Sequence, residues 1–303
     1  MSAAPRTVCV AAAAYPLDGL ATLGAVEDKI ARWVAEAAGA GAEVLVFPEY
    51  GAMELAAPAG EAVCADLQAS LAAVSDALPR IDALHADMAR RHFVHILAGS
   101  GPRRAADGHY RNTTRLFAPS GKSGRQDKLI RTPFEHDWGL VGGDQLNVFN
   151  TAIGRIGVAI CYDSEFPLLV RAMIEAGAEI ILVPACTELV SGYHRVRTAA
   201  LARALEGGCA TVVSPTVGSS TWSPAVDYNS GAAGIYVPSE AGISDTGVLA
   251  EGALNAPGWV YADVDLAALA RLADTGEMRN RADWHRQPGG DLALPKAAMV
   301  TLT

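Results

Sequence analysis

Short runs of apolar residues alternate along the chain with alanine-rich stretches whose apolar residues recur at helical spacing. Val8–Ala13 and Glu43–Pro48 have the length of strands, and Ala21–Ala38 between them places Ile30 and Val34 on one face of a helix. Buried strands separated by helices are typical of layered α/β proteins. The alternation therefore predicts an α/β fold.

The other elements follow from the same two spacings. Further strands are predicted over Phe93–Ala98, Asn112–Ala118, Lys122–Lys128, Ile156–Ile160, Glu179–Val183, Cys209–Ser214, Ile235–Val237, Val248–Ala250 and Trp259–Val264. Further helices are predicted over Leu67–Arg91, with a break or bend near Pro79, Pro167–Ala176 and Thr198–Gly207. No linker-like composition divides the chain, so residues 1–303 are interpreted as one domain, with residues 285–303 as a C-terminal tail.

One internal repeat links two of the predicted strands. Gly41–Pro48 and Gly177–Pro184 both read Gly-Ala-Glu, an apolar strand and a proline. This similarity suggests two related halves that face one core, although any α/β protein repeats the pattern. If the halves are paired, the residues after the second strand lie beside the end of the first and are either pocket-lining residues or a structural loop; they are Cys186, Thr187 and Glu188.

Charge and cysteine content exclude several classes of function. The net charge of −9 makes the chain a poor ligand for nucleic acid, and no apolar run is long enough for a membrane helix. The five cysteines are odd in number and contain no C-x-x-C, which predicts neither a disulfide framework nor a metal site. Free thiols fit a reducing cytoplasm. Thr7–Ala14 superficially resembles a signal-peptide core but is interpreted as the first buried strand.

Two residues at strand ends are candidates for chemistry. Cys161 ends the strand Ile156–Ile160 and precedes a stretch where a helix could begin, so backbone N–H groups would face the thiol, lower its pKa and stabilise an oxyanion. A buried structural cysteine is the alternative. Glu49 follows a buried strand and Pro48, at the strand edge where α/β proteins form ligand sites. An exposed loop carboxylate is its alternative.

A third candidate closes the predicted hairpin. Lys128 ends the second hairpin strand, and Glu135 follows seven residues later, where it could hold the ammonium group charged and oriented. A solvated lysine is the alternative.

Taken together, these segments resemble the nitrilase superfamily of carbon–nitrogen hydrolases. Val46–Glu49 resembles the glutamate motif of that family, Asp127–Leu129 with Glu135 resembles its lysine motif, and Gly157–Pro167 resembles its cysteine motif, in the same order. The strand at Asn112 and the helix at Ala202–Glu206 extend the resemblance over nearly the whole chain.

Three positions depart from the family pattern. An alanine replaces the glutamine usual near the end of the first strand, Leu168 replaces a common glutamate, and Gly207 replaces a frequent asparagine. None of them is a proposed catalytic residue, so they leave the subfamily open rather than the chemistry.

The resemblance implies a four-layer αββα sandwich that pairs into a homodimer or larger homo-oligomer. It also implies catalysis by Glu49, Lys128 and Cys161 without metal or cofactor, supported by Glu135 and by the backbone N–H of Tyr162. The expected substrate is a small amide or N-carbamoyl compound. A nitrilase, an acyltransferase and a catalytically idle scaffold are the alternatives.

Other residues are weaker candidates for substrate binding. Tyr50 and Trp138 could form pocket walls or belong to the core. His194, Arg195 and Arg197 could bind a substrate carboxylate or form surface salt bridges.

Overall fold

A computed structural model of the protein describes residues 6–287 and residue 299. The strands are β1 (Thr7–Pro16), β2 (Val44–Val46), β3 (His95–Leu97), β4 (Gly101–Arg104), β5 (Tyr110–Phe117), β6 (Ser123–Asp127), β7 (Val148–Thr151), β8 (Gly154–Val158), β9 (Ile180–Ala185), β10 (Ala210–Ser219), β11 (Tyr228–Asn229), β12 (Gly234–Tyr236), β13 (Val248–Glu251) and β14 (Gly258–Asp265). The α-helices are α1 (Leu23–Gly39), α2 (Glu61–Ala65), α3 (Leu67–His92), α4 (Pro133–Asp137), α5 (Pro167–Glu175), α6 (Val190–Gly207), α7 (Leu266–Thr275) and α8 (Asn280–Asp283). The 3-10 turns are Gly51–Ala59, Cys161–Glu165 and Trp284–Arg286.

The strands form two mixed sheets. In the first, β1, β2 and β3 run parallel, β14 pairs antiparallel with β1, and β5 pairs antiparallel with β3, β4 and β6. In the second, β8, β9 and β10 run parallel, with β7 antiparallel to β8 and β12 antiparallel to β10 and β13. The strands β2 and β9 of the internal repeat therefore occupy equivalent places, each beside one of the two longest strands, β1 and β10.

The two sheets meet where β1 and β10 pair in parallel over two residues, Tyr15 with Thr216 and Pro16 with Val217. One buried hydroxyl reinforces this contact. The Ser214 Oγ lies 2.7 Å from the carbonyl oxygen of Ala13 and 2.8 Å from that of Val46.

Alternate residues of the first sheet face two different layers, as the period of a strand requires. Ala13 and Leu45 pack with α1 and α3, whereas Ala12 and Val46 pack with the second sheet, whose other face carries α5 and α6. The layers are helices, sheet, sheet and helices. This is the αββα sandwich that the resemblance implies.

The structure refines two of the predicted helices. The helix α3 runs without a break through Pro79, because Val74, Leu78 and Ile81 are buried on both sides of the proline and outweigh the lost backbone hydrogen bond. The helix α6 begins at Val190 rather than Thr198. Its first two turns were not predicted, because few of their residues are apolar.

No helix within residues 6–287 is long and apolar enough to cross a membrane. Most of the predicted C-terminal tail, residues 288–298 and 300–303, lies outside the described residues.

Candidate active site

Two strand ends lead into left-handed residues that open 3-10 turns. Beyond β2, Glu49 is followed by Tyr50 at φ 55°, and beyond β8 the chain reaches Cys161 at φ 46°. Residues other than glycine rarely adopt such angles, and each costs about 1–3 kcal/mol. These two sharp turns place the Glu49 carboxylate and the Cys161 thiol at the lining of one cleft.

Lys128 follows β6 and is held by its neighbours on two sides. Its backbone N–H donates to the Asn112 carbonyl on β5 at 2.8 Å. The Asp163 carboxylate, two residues after Cys161, accepts the N–H groups of Leu129 at 3.1 Å and Ile130 at 2.8 Å. Burial raises the pKa of Asp163 to about 6. Asp163 thus joins the end of the hairpin to the turn that carries the thiol.

A buried polar network connects the candidate residues, and we define it as Glu49, Asn112, Lys128 and Glu135. The Lys128 Nζ lies 2.7 Å from Glu49 Oε1 and 2.7 Å from Glu135 Oε2. The Asn112 Nδ2 lies 2.9 Å from Glu49 Oε1 and 2.9 Å from Glu135 Oε1. Each of the four residues is at most 2% exposed, so these charges are screened little by solvent.

Both oxygens of Glu135 are fully occupied by donors. Oε1 accepts the Tyr50 hydroxyl at 2.7 Å as well as Asn112. Oε2 accepts the Thr132 backbone N–H at 2.8 Å as well as Lys128, and the same glutamate completes the capping box of α4. A carboxylate oxygen offers about two lone pairs, so Glu135 has no acceptor position left.

Glu49 differs from Glu135 in having one open position. Its Oε1 accepts Lys128 and Asn112, whereas its Oε2 accepts a single backbone donor among the described residues, the Cys186 N–H at 2.9 Å. The Cys161 thiol and this carboxylate affect each other's pKa, and the Cys161 Sγ lies 3.9 Å from the Cys186 carbonyl oxygen. Glu49 can therefore accept a proton from Cys161.

The environments separate the pKa values of the two glutamates. Burial, together with Glu135, raises the pKa of Glu49 despite Lys128. For Glu135, burial acts in the same direction, but Lys128 and the other donors lower its pKa below the ordinary value. Burial opposes the charge of Lys128 as well, yet the two glutamates raise its pKa and keep the ammonium charged.

The thiol contradicts one prediction from the sequence. Burial and the Glu49 carboxylate raise the pKa of Cys161 well above its ordinary value, whereas the strand-end position predicts a lowered one. Cys161 is therefore a neutral thiol at rest. An arrangement of this kind needs a base that removes the proton as the sulfur attacks.

A cleft of about 620 Å³ opens onto the thiol. It has room for a small organic substrate. Its lining includes the predicted catalytic residues and all of the predicted pocket-wall residues: Glu49, Tyr50, Lys128, Glu135, Trp138, Cys161, Tyr162, Cys186, Thr187 and Glu188. The further polar residues of the lining include Thr132, Glu165, Ser191, Arg195 and Asp227.

The three basic residues of α6 that were candidates for binding a substrate carboxylate lie in different surroundings. Arg195 lines the cleft and lies 3.4 Å from Glu165, so its charge is already partnered. Arg197 pairs with Glu251 away from the cleft, and the ring of His194 lies beside that of Tyr193. Within residues 6–287, no group of three or more His, Cys, Asp or Glu side chains is arranged to hold a metal ion.

Known proteins resemble this chain over most of its length. The sequence model of the carbon–nitrogen hydrolase family matches residues 9–274. The probable hydrolase YhcX of Bacillus subtilis (strain 168) is 34% identical over 288 residues, which cover 94% of this chain and 55% of that protein. The bifunctional nitrilase/nitrile hydratase NIT4A of Lupinus angustifolius is 34% identical over 218 residues, which cover 67% of this chain and 59% of that protein. The chain thus spans little more than half the length of these relatives.

Solved structures share the fold at low sequence identity. A carbon–nitrogen hydrolase from Helicobacter pylori G27 has a TM-score of 0.72 at 17% identity, with 88% of this chain and 92% of that chain covered. A mutant of the amidase from Nesterenkonia sp. AN1, which shows Michael addition of acrylamide at its active site cysteine, has a TM-score of 0.65 at 22% identity, with 92% and 98% covered. Because the family match takes in both strand ends, the hairpin and the whole polar network, the chain belongs to the carbon–nitrogen hydrolase family.

Proposed function

We propose that this protein is a cysteine-dependent amidase that hydrolyses a carbon–nitrogen bond of a small amide or N-carbamoyl compound. The observation that carries the proposal is the Cys161 thiol, which lies in the cleft beside a glutamate with one open acceptor position. An amidase among the structural relatives carries acrylamide at its active site cysteine, which supports the same role for Cys161.

The first half of the reaction forms a thioester. As the Cys161 sulfur attacks the carbonyl carbon, its proton passes to Glu49 and the carbonyl π electrons move to the oxygen. The Lys128 ammonium and the Tyr162 backbone N–H stabilise that oxyanion, and one such donor contributes about 3–4 kcal/mol. When the oxyanion collapses, the carbon–nitrogen bond breaks and Glu49 returns the proton to the leaving nitrogen, which departs as ammonia or an amine.

The second half releases the acid. A water molecule gives a proton to Glu49 and adds to the thioester carbon, and the carbon–sulfur bond breaks as Glu49 protonates the sulfur. The same glutamate therefore acts twice as base and twice as acid. Glu135, with no acceptor position left, holds Lys128 in place and carries no proton in this scheme.

A nitrilase is the second candidate, because NIT4A and other named nitrilases are among the relatives of this chain. The same thiol would attack a nitrile carbon, and the product after two waters is an acid and ammonia. Substrate preference separates the two candidates.

A substrate panel tests the proposal. Purified protein is incubated with simple amides, N-carbamoyl compounds and nitriles, and released ammonia or amine is measured. We expect release from amides or carbamoyl compounds by the parent protein, at least a thousandfold less by Cys161→Ala, and no loss by Cys209→Ala. Cys209 is a matched control because it is buried outside the cleft. Activity near the parent level in Cys161→Ala would refute the assignment.

A further inference from the structure

Asn112 lies behind the cleft in β5 and is 2% exposed. Its amide nitrogen carries two hydrogens, and it lies 2.9 Å from an oxygen of Glu49 and 2.9 Å from an oxygen of Glu135. Its backbone carbonyl accepts the N–H of Lys128 at 2.8 Å. One residue outside the cleft lining thus contacts all three charged members of the polar network.

We propose that Asn112 is a positioning residue of the reaction, whose amide holds the two glutamates apart and leaves Glu49 one open acceptor position beside Cys161. This inference rests on the proposed function, in which Glu49 carries the proton. Asn112 touches neither the substrate nor the reacting atoms in this scheme.

The charge balance of the network explains why a neutral donor suits this place. Two carboxylates share one ammonium, so the buried group carries one net negative charge and the glutamates repel each other. A hydrogen bond from Asn112 to each carboxylate stabilises its ionised form. A second cation would neutralise the site instead. It would also hold the Glu49 carboxylate more firmly in its ionised form, which weakens it as a base.

Loss of the Asn112 side-chain amide should change the pKa of Glu49 in one direction. The groups that face Glu49 are the ammonium of Lys128, the carboxylate of Glu135, the thiols of Cys161 and Cys186, and the hydroxyl of Tyr50. Loss of one donor leaves burial and the repulsion by Glu135 less opposed, so the pKa of Glu49 rises further. The base is then ionised only at higher pH.

The test compares Asn112→Ala and Asn112→Asp with the control Thr114→Val. Thr114 lies two residues along the same strand, is equally buried, and bonds the Ala98 carbonyl at 2.6 Å outside the polar network. Alkylation of Cys161 by iodoacetamide is followed by peptide mass spectrometry from pH 4 to 9. In parallel, kcat/KM is measured on the best amide of the panel.

We expect Asn112→Ala to lower kcat/KM by about 10- to 100-fold, the usual effect of a hydrogen bond to a charged group, and to move the acidic limb of alkylation to higher pH. Asn112→Asp, which keeps the shape but replaces the donor by an acceptor, loses more. Thr114→Val keeps the parent pH profile, although its unfolding temperature falls.

The two proposals fail in different ways. If the parent protein hydrolyses an amide substrate but the folded Asn112→Ala variant keeps the parent pH profile and kcat/KM, the positioning role is refuted. If Asn112→Ala does not fold, the same result in Asn112→Asp decides against it. The opposite outcome is also distinct. If the Asn112 variants shift the pH profile of Cys161 alkylation but no amide or carbamoyl compound is hydrolysed, the positioning role of Asn112 is supported and the proposed function is refuted.

Discussion

Two glutamates of the same chemistry occupy different environments in the polar network. Glu135 receives at least two donors on each oxygen, and its pKa is lowered. Glu49 has one open position beside a thiol, and its pKa is raised. Paired carboxylates whose pKa values are pushed apart divide into a proton carrier and a fixed charge.

The first prediction compares two variants in which one of these glutamates is replaced by glutamine. Glu49→Gln removes the base, and we expect kcat to fall by about 1,000-fold or more. Glu135→Gln removes an anchor of Lys128, and we expect a smaller loss of about 10- to 100-fold. Stopped-flow measurement of the first turnover checks both, because only Glu49→Gln blocks formation of the acyl-enzyme. Equal losses in the two variants would contradict the division of roles.

The second prediction concerns pH. Because the pKa of Glu49 is raised above its ordinary value of 4.5, kcat/KM rises through a limb above pH 4.5 as this base ionises. The pKa values of Lys128 and Cys161 are raised as well, so neither group produces a descending limb below pH 9. A kcat/KM profile from pH 4 to 9 shows both features. A limb centred below pH 4.5, or a fall near pH 8, would count against the assignment of the base.

The sequence predicted the members of the site better than their electrostatics. Cys161, Glu49 and Lys128 lie in motifs that can be read from the chain, and the structure brings them together. Asn112 and Asp163 received no role, because their hydrogen-bond partners in the site lie 16 to 63 positions away in the chain. Burial of the thiol also depends on the whole fold, so the predicted lowering of its pKa was wrong.

At the scale of elements, the end of β6 is held by the loop that follows α4. The Gly143 N–H donates to the Lys128 carbonyl at 2.8 Å. A Cβ built on Gly142 would lie 2.3 Å from the Leu129 carbonyl oxygen, which is backbone and cannot rotate away. This loop therefore fixes the backbone on both sides of the Lys128 carbonyl group.

The third prediction uses this close contact. Gly142→Ala forces the Leu129 backbone to move, and we expect a loss of stability of about 1–3 kcal/mol together with a fall in kcat. Gly24→Ala in the exposed first turn of α1 meets no atom within 4 Å, and we expect unchanged activity and a gain of up to about 1 kcal/mol. Urea unfolding and turnover check both variants. Full activity in Gly142→Ala would show that Lys128 tolerates this displacement.

Most strands with strong apolar runs were predicted, whereas several short or polar elements and the apolar helix α7 were not. The bounds of the strands β2, β8 and β9 agree with the predicted runs to within two residues at each end. The first turns of α6 were missed because charged residues alternate there with the buried Tyr193 and Val196. The short strand β4 was missed because it depends on pairing with β5.

At the scale of the whole molecule, the cleft combines contributions from both sheets. Glu49 follows β2 of the first sheet, Cys161 follows β8 of the second, and Cys186 follows β9. The internal repeat predicted that the ends of β2 and β9 meet, and the Cys186 N–H indeed contacts Glu49. The homo-oligomer that the resemblance implies remains a prediction.

The central claim is a covalent intermediate on Cys161, and trapping that intermediate tests it most directly. The protein is mixed with a hydrolysed amide, quenched in acid during turnover and analysed by intact and peptide mass spectrometry. We expect one acyl group, on Cys161 alone, that hydroxylamine removes and that is absent from Cys161→Ala. Ammonia release without any adduct on Cys161, or acylation spread over Cys9, Cys64, Cys186 and Cys209, would contradict the account.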